Sequence, residues 1–334
     1  MKISDIAKIA GVSTATVSRV INEKEGVSAK ERARVQEIIK KYDYQPNLLG
    51  QTLRNSSTNT ILAIVPTLSN PFYSEILTAM ANEAIEYGYA LMICEQDKFL
   101  DFYIDRLRCR LVDGVVLFYS SMEAHEIDEL AKKFPVVQCC EIIPNSNTST
   151  VTIDNFQAGC DVAEMFIKNN HKRFGFVGGN AVSEQLRYEG FCEVVNKTVK
   201  NPNALIKIIT KRDEHKNMLT IDFENLKSAL NVENAPTAFF CTSDELAMQL
   251  VQWLQRHHYS VPSEISVIGF DDQDITKYFR PQLTTVAQDK FEIGKNTVNV
   301  LMKKINDIES ENINIISNHW IEYRETVSNC CNDR

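Results

Sequence analysis

The chain has 334 residues, too many for one compact core, so two or three domains are expected. Its formal net charge is −8, but residues 1–58 hold ten Lys/Arg against six Asp/Glu (+4), which leaves 26 against 38 (−12) in the remainder. No apolar run is long enough to span a bilayer, and nine cysteines without a CxxC pair or framework spacing exclude a disulfide-stapled scaffold.

The basic excess coincides with a short helical segment, Met1 to Asn22. Ser4 is placed to cap a first helix carrying Ile6, Ala7 and Ile9; Gly11-Val12 breaks it, and Ser13 is placed to cap a second. In that second helix Thr16, Val17, Val20 and Ile21 share one face, while Thr14, Ala15, Ser18 and Arg19 share the other, because residues four apart lie one above another. The outer face is small and polar and ends in one guanidinium, which suits a major groove. Ser28-Ala29-Lys30-Glu31 has the capping-box pattern and opens a third helix, with Val35, Ile38, Ile39 and Tyr42 on one stripe. Tyr44-Gln45-Pro46-Asn47 follows, then a weak helical stretch to Asn55 in which Gly50 costs roughly 1 kcal/mol relative to Ala.

The SDIAKIAGVSTATVSRVIN stretch and the YQPN…L hinge resemble the LacI/GalR family of bacterial transcription regulators, and the resemblance continues through the rest of the chain. It implies a helix-turn-helix headpiece in residues 1–45, a hinge helix and linker in 46–59, and a two-lobe effector-binding and dimerisation domain in 60–330. It also implies that two hinge helices form together in the minor groove, where Leu53 would wedge between base pairs. The DNA-facing set is then Ser4, Ser13, Thr14, Ala15, Thr16, Ser18, Arg19, Asn22, Tyr44, Asn47, Leu53 and Arg54. Arg19 is the expected guanine reader; Tyr44 and Asn47 are expected at phosphates.

From Thr60 the texture alternates between strand and helix: strand 61–65, helix 72–87, strand 90–94, helix 100–110, strand 114–118, helix 124–133, strand 136–140. A second series follows: helix 155–169, strand 174–177, helix 184–197, strand 205–209, helix 218–230, strand 238–241, helix 245–257, strand 265–268. The fold class is therefore α/β, an all-α headpiece plus two doubly wound parallel-sheet lobes, and the resemblance adds a likeness to periplasmic sugar-binding proteins. Such lobes exchange chain three times, expected near 153–156, 287 and 315, with helix 293–308 returning to the first lobe. Lobe 1 is then about 60–155 and 288–314, and lobe 2 about 156–287 and 315–330.

Ligands bind such sheets beyond the carboxyl ends of the strands. The expected ligand set there is Phe72, Tyr73, Asp154, Arg187, Phe223, Asp244 and Asp271. Arg187 lies in an Arg-x-x-Gly-Phe match to the family, and a guanidinium donates two parallel hydrogen bonds. Asp271, in Gly269-Phe270-Asp271-Asp272, offers a carboxylate to vicinal hydroxyls. Asp244 equally suits a helix N-cap, and that role is favoured. The family often has an Asp where this chain has Cys140-Glu141, which alters the pocket.

No phosphate-cradling glycine motif, no HExxH and no nucleophile elbow is present, so no catalysis, metal or cofactor is expected. The reading is a cytoplasmic repressor on double-stranded operator DNA, a homodimer or a tetramer built as a dimer of dimers, responding to a sugar-type effector and making no membrane contact. A nucleoside or purine effector is the competing reading within the class. A solute-binding transport protein shares the cleft, but would carry a secretion signal and no basic head.

Overall fold

The computed structural model describes residues 1–21, 23–44, 57–96, 100–199, 201, 204–213 and 218–330. Hinge residues Pro46 to Asn55, with the expected DNA contacts Asn22, Asn47, Leu53 and Arg54, lie outside the described residues. The chain divides into two compact units, Met1–Thr58 and Asn59–Arg334.

The described residues of the first unit form three helices: α1 (Ile3–Ala10), α2 (Thr14–Ile21) and α3 (Ala29–Lys41). Gly11 ends α1 in the left-handed conformation (φ 67°), its N–H returning to the last carbonyls of the helix. Ser13 caps α2, accepting the Thr16 N–H at 3.0 Å. Ser28 and Glu31 make the full capping box on α3, with the Ser28 hydroxyl donating to Glu31 Oε2 at 2.6 Å. Ile6, Ala7, Ala10, Val17, Val20, Val35 and Tyr44 form the core. Two expectations are corrected. Ser4 is not the cap, because the helix begins at Ile3 with Lys2 in the N-cap position, and the Lys2 N–H is taken by Asp5 Oδ2 at 2.8 Å. Ile9 and Tyr42 stand largely exposed, on the flanks of stripes whose inward positions are Ile6, Ala7, Ala10 and Val35.

The second unit holds two sheets. The first is β12-β5-β4-β3-β1-β2, with β1 (Thr60–Val65), β2 (Ala90–Glu95), β3 (Gly114–Leu117), β4 (Val136–Cys139), β5 (Ser149–Ile153) and β12 (Asn314–Ser317), all pairs parallel. The second is β13-β11-β10-β9-β6-β7-β8, with β6 (Phe174–Gly178), β7 (Leu205–Asp213), β8 (Met218–Ile221), β9 (Ala238–Cys241), β10 (Ser266–Phe270), β11 (Thr284–Gln288) and β13 (His319–Glu322). Its centre is parallel, while the edge pairs β7–β8 and β11–β13 are antiparallel. Met218–Ile221, read from sequence as the start of a helix, is thus a hairpin strand. Asp222 starts the helix instead, accepting the Asn225 N–H.

In the first sheet, alternate residues go to opposite faces. Ile61, Ala63 and Val65 meet Ile76 and Met80 of α4 (Pro71–Glu86) and Ile293 and Leu301 of α11 (Lys290–Asn306). Leu62 and Ile64 meet Ile104 and Leu107 of α5 (Leu100–Arg108) and Ile127 and Leu130 of α6 (Ala124–Ala131). The second sheet repeats this. Phe174, Phe176 and Phe240 pack with Phe166 and Phe191 from α7 (Asn155–Lys168) and α8 (Val182–Thr198). Val177 and Phe239 pack with Leu226 and Leu250 from α9 (Phe223–Leu230) and α10 (Asp244–Arg256). Cover on both faces is why these strands read as unbroken apolar runs.

The chain passes between lobes after Ile153, at Asp289 and at Asn318. The last crossing corrects the sequence expectation: Ile315 lies inside β12, paired with Val151 in the first lobe. Strands β5, β11, β12 and β13 were not legible as strands, and all four sit at or near sheet edges.

Candidate functional site

Both sheets have a doubly wound core order, β2-β1-β3-β4-β5 and β7-β6-β9-β10-β11. The topological switch lies between β1 and β3 in one and between β6 and β9 in the other, so each lobe opens a crevice there. Arg187 stands at the switch point of the second lobe. It is 8% exposed. Its Nε donates to Asn155 Oδ1 at 2.9 Å and its Nη1 to the Thr242 carbonyl, just past β9, at 2.8 Å. Its guanidinium carbon lies 3.5 Å from the centroid of the Phe270 ring.

Glycines set this geometry. A Cβ at Gly190 would lie 1.9 Å from the Phe156 carbonyl oxygen, and one at Gly159 would lie 2.1 Å from that of Arg187. Only bare backbone lets α7 and α8 approach so closely, and that approach brings Asn155 to Arg187. The Arg-x-x-Gly-Phe match is therefore explained position by position: Arg187 faces the crevice, Gly190 the helix crossing, Phe191 the core.

Asp271 follows β10 and is buried beside Arg187. Its φ of 106° is a conformation that side-chain-bearing residues rarely adopt. The bonds around it hold it there. Its N–H donates to the Val286 carbonyl at 2.8 Å, and Asp272 pairs with Arg324 at 2.5 Å. Gln288 Nε2 donates to Asp271 Oδ1 at 2.8 Å. Burial pushes the carboxyl up to about 7, against the pull of Arg187 and Lys290. Gln288 escaped notice in the sequence because β11 did; its place at a strand end before a lobe crossing, like that of Ile153, is the signal that was there.

Tyr73 is half-buried on the first-lobe side, edge-on to Phe72 at 5.3 Å and to Phe118 at 5.8 Å between ring centroids. Burial raises its hydroxyl pKa, helped by Cys140, Asp271 and Glu141. Tyr73, Arg187 and Asp271 thus form one electrostatic cluster spanning both lobes.

The other expected ligand residues sit differently. Phe72 is core. Phe223 stacks on Trp253 at 6.0 Å in the outer core of the second lobe. Asp154 is exposed and caps α7 through the Gln157 N–H at 2.9 Å; its neighbour Asn155 is the one that reaches Arg187. Asp244 is not the cap of α10, a position that Ser243 holds. Asp244 is wholly buried, accepting the Thr285 hydroxyl at 2.5 Å and the Gln273 N–H at 2.8 Å, and so ties β10, β11 and α10 together. Among the described residues no group of His, Cys, Asp and Glu is arranged to hold a metal ion, and no helix is long and apolar enough to cross a membrane.

In the headpiece, Thr14, Ala15 and Arg19 are exposed on α2, with Thr16 and Ser18 half-buried beside them and Ser4 exposed on α1. Tyr44 packs into the headpiece core, only 9% exposed.

Comparison with known proteins agrees with this arrangement. Residues 2–47 match the family of bacterial regulatory proteins, lacI family, and residues 163–327 match the periplasmic binding protein-like domain. The chain is 30% identical over 312 residues to the HTH-type transcriptional repressor PurR of Haemophilus influenzae (strain PittEE), covering 91% of this chain and 90% of that one. Its fold superposes on the lac repressor dimer bound to operator and the anti-inducer ONPF with a TM-score of 0.84, at 22% identity, over 98% of this chain and 99% of that one. A LacI family transcriptional regulator from Enterococcus faecium with bound ribose gives a TM-score of 0.71 at 25% identity, over 81% of this chain and 99% of that one. These relatives are a transcriptional repressor, a repressor bound to its operator and a transcriptional regulator with bound ribose. The chain belongs to the LacI family of bacterial transcription regulators.

Proposed function

We propose that this regulator is a repressor that binds its operator as a homodimer, and that an uncharged sugar in the cleft between the lobes changes its operator affinity. The observation that carries the effector class is the buried Arg187 guanidinium, set over the Phe270 ring and within electrostatic reach of the buried Asp271 carboxylate. A guanidinium and a carboxylate side by side donate to and accept from neighbouring hydroxyls, the pattern that a polyol presents. Asp271, Glu184 and Glu141 all act electrostatically on Arg187. Three carboxylates around one guanidinium leave little positive potential for a phosphate. Of the aromatic candidates, Tyr73 alone keeps a place in the cluster, which favours a sugar over a base that needs stacking rings on both sides. The ribose-bound relative supports the same class.

The outer row of exposed Thr14, Ala15 and Arg19 with half-buried Ser18 supports base reading by α2. Met92 and Ile93 stand exposed on β2, an edge strand, with Ile85 and Tyr87 just before it. Apolar side chains on an open edge fit a dimer interface. A thermal-shift screen of sugars, nucleosides and purines tests the effector class. A neutral sugar should stabilise the wild type and leave Asp271→Asn unmoved, while operator affinity is equal in both. Stabilisation by purines alone would replace the sugar reading.

A further inference from the structure

We propose that Glu141 is a clasp that holds the two lobes together. Glu141 belongs to the first lobe, two residues past the end of β4; α8 belongs to the second. The N-cap position of α8 is Ala181, whose methyl group cannot accept a hydrogen bond. Glu184 reaches back to the Ala181 N–H at 3.2 Å, which leaves the next donors of the first turn open. Glu141 takes them across the cleft. Its Oε1 accepts the Val182 N–H at 2.6 Å and the Ser183 N–H at 3.2 Å, and its Oε2 accepts the Ser183 hydroxyl at 2.5 Å.

The turn that aims this side chain is built for the purpose. Cys140 has φ 66°, and the Glu141 N–H closes back on the Cys139 carbonyl at 2.9 Å. The Thr152 hydroxyl of β5 donates to the Cys140 carbonyl at 2.8 Å, which anchors the turn to its own sheet. An anion at the positive end of a 17-residue helix is favoured twice, by hydrogen bonds and by the helix dipole. Among the described residues two other side-chain hydrogen bonds join the lobes. Gln273 Nε2 donates to Asn70 Oδ1 at 3.1 Å, and Lys290 Nζ donates to the Asp272 carbonyl at 2.8 Å. Each of these is a single hydrogen bond, whereas the Glu141 carboxylate accepts three. The clasp rests on these contacts alone; its bearing on regulation rests on the effector reading above. A regulator clasped shut this way needs less from its ligand to reach the closed state, and its operator affinity is set by Glu141 when the cleft holds no sugar.

The test is amide hydrogen exchange on the full-length protein with no sugar added, comparing wild type, Glu141→Ala, Glu141→Gln and Ser183→Ala. In Glu141→Ala, exchange should quicken on the order of tenfold at 182–185, as expected from losing charge-assisted bonds. It should quicken also at 70–73 and 271–275, where the lobes touch elsewhere. Glu141→Gln should fall between, because its amide oxygen still accepts. Faster exchange confined to 182–185 would make Glu141 a mere helix cap and overturn the clasp. If Glu141→Ala loosens the core strands 61–65 and 174–178 too, Ser183→Ala decides. That variant removes one hydroxyl donor, and it must quicken 70–73 and 271–275 without touching those strands, or the clasp is wrong. Loss of the sugar response with intact exchange behaviour would count against the effector reading and leave the clasp standing.

Discussion

Replacing Asp271 by Asn should make the effector body more stable at neutral pH, and the gain should vanish in acid. The carboxyl titrates near 7 in the folded chain against an ordinary 3.8, chiefly because burial penalises its charge. A raised carboxyl pKa contributes stability at low pH and loses it as the pH climbs from about 4 towards about 7. At about 1.36 kcal/mol per pH unit, the full loss is about 4 kcal/mol, and about 2–3 kcal/mol of it falls between pH 5 and 8. Asn is nearly isosteric, tolerates positive φ, and keeps an oxygen for the Gln288 donor, so little else changes. Urea denaturation of wild type and Asp271→Asn at pH 5, 6, 7 and 8 measures the difference directly, with all other titrating groups cancelling. The difference should be about 1–2 kcal/mol at pH 5 and grow by about 2–3 kcal/mol by pH 8. A difference that stays flat over that range would refute the argument that Asp271 is a buried, strained carboxylate kept for its ligand. The same logic predicts that a sugar held through the ionised carboxylate binds more weakly below pH 7, which calorimetry across that range would show.

Gly190→Ala should cost about 3 kcal/mol in urea denaturation, because its methyl would meet the Phe156 carbonyl at 1.9 Å; it should also abolish the sugar response by moving Arg187 off Asn155. Arg19→Ala should weaken operator binding by about 1–3 kcal/mol and relax preference at one base pair; equal binding of all operator variants by both proteins would discard Arg19 as a reader. Removing residues 1–58 should leave a folded body, since Asn59–Arg334 is a compact unit by itself; that body should keep its sugar-dependent thermal shift and lose operator retardation in gels.

The local devices were legible in the sequence because their partners lie within one helical turn or one strand. Ser13 above Thr16, the Ser28–Glu31 box and the left-handed Gly11 need no distant residue, and the apolar runs announced strands covered on both faces. The Arg-x-x-Gly-Phe match and the Gly-Phe-Asp-Asp stretch marked Arg187 and Asp271. What the tertiary structure decided depends on residues far apart in the chain. Asp244 and Ser243 have equal claims to cap a helix; a buried niche between β10 and β11 drew Asp244 inward. Phe223, at the start of α9, joined Trp253 of α10 in the apolar cluster of the second lobe and not the cleft. Gln288 and Asn155 reached Asp271 and Arg187 only when the fold brought together positions 17 and 32 residues apart. Glu141 looked like a local departure from a family pattern, and its partners are 41 and 42 residues along the chain, in the other lobe. Short-range hydrogen bonds and apolar periodicity are written in neighbouring letters, whereas the meeting of two carboxylates and a guanidinium across a cleft follows from how the sheets wind.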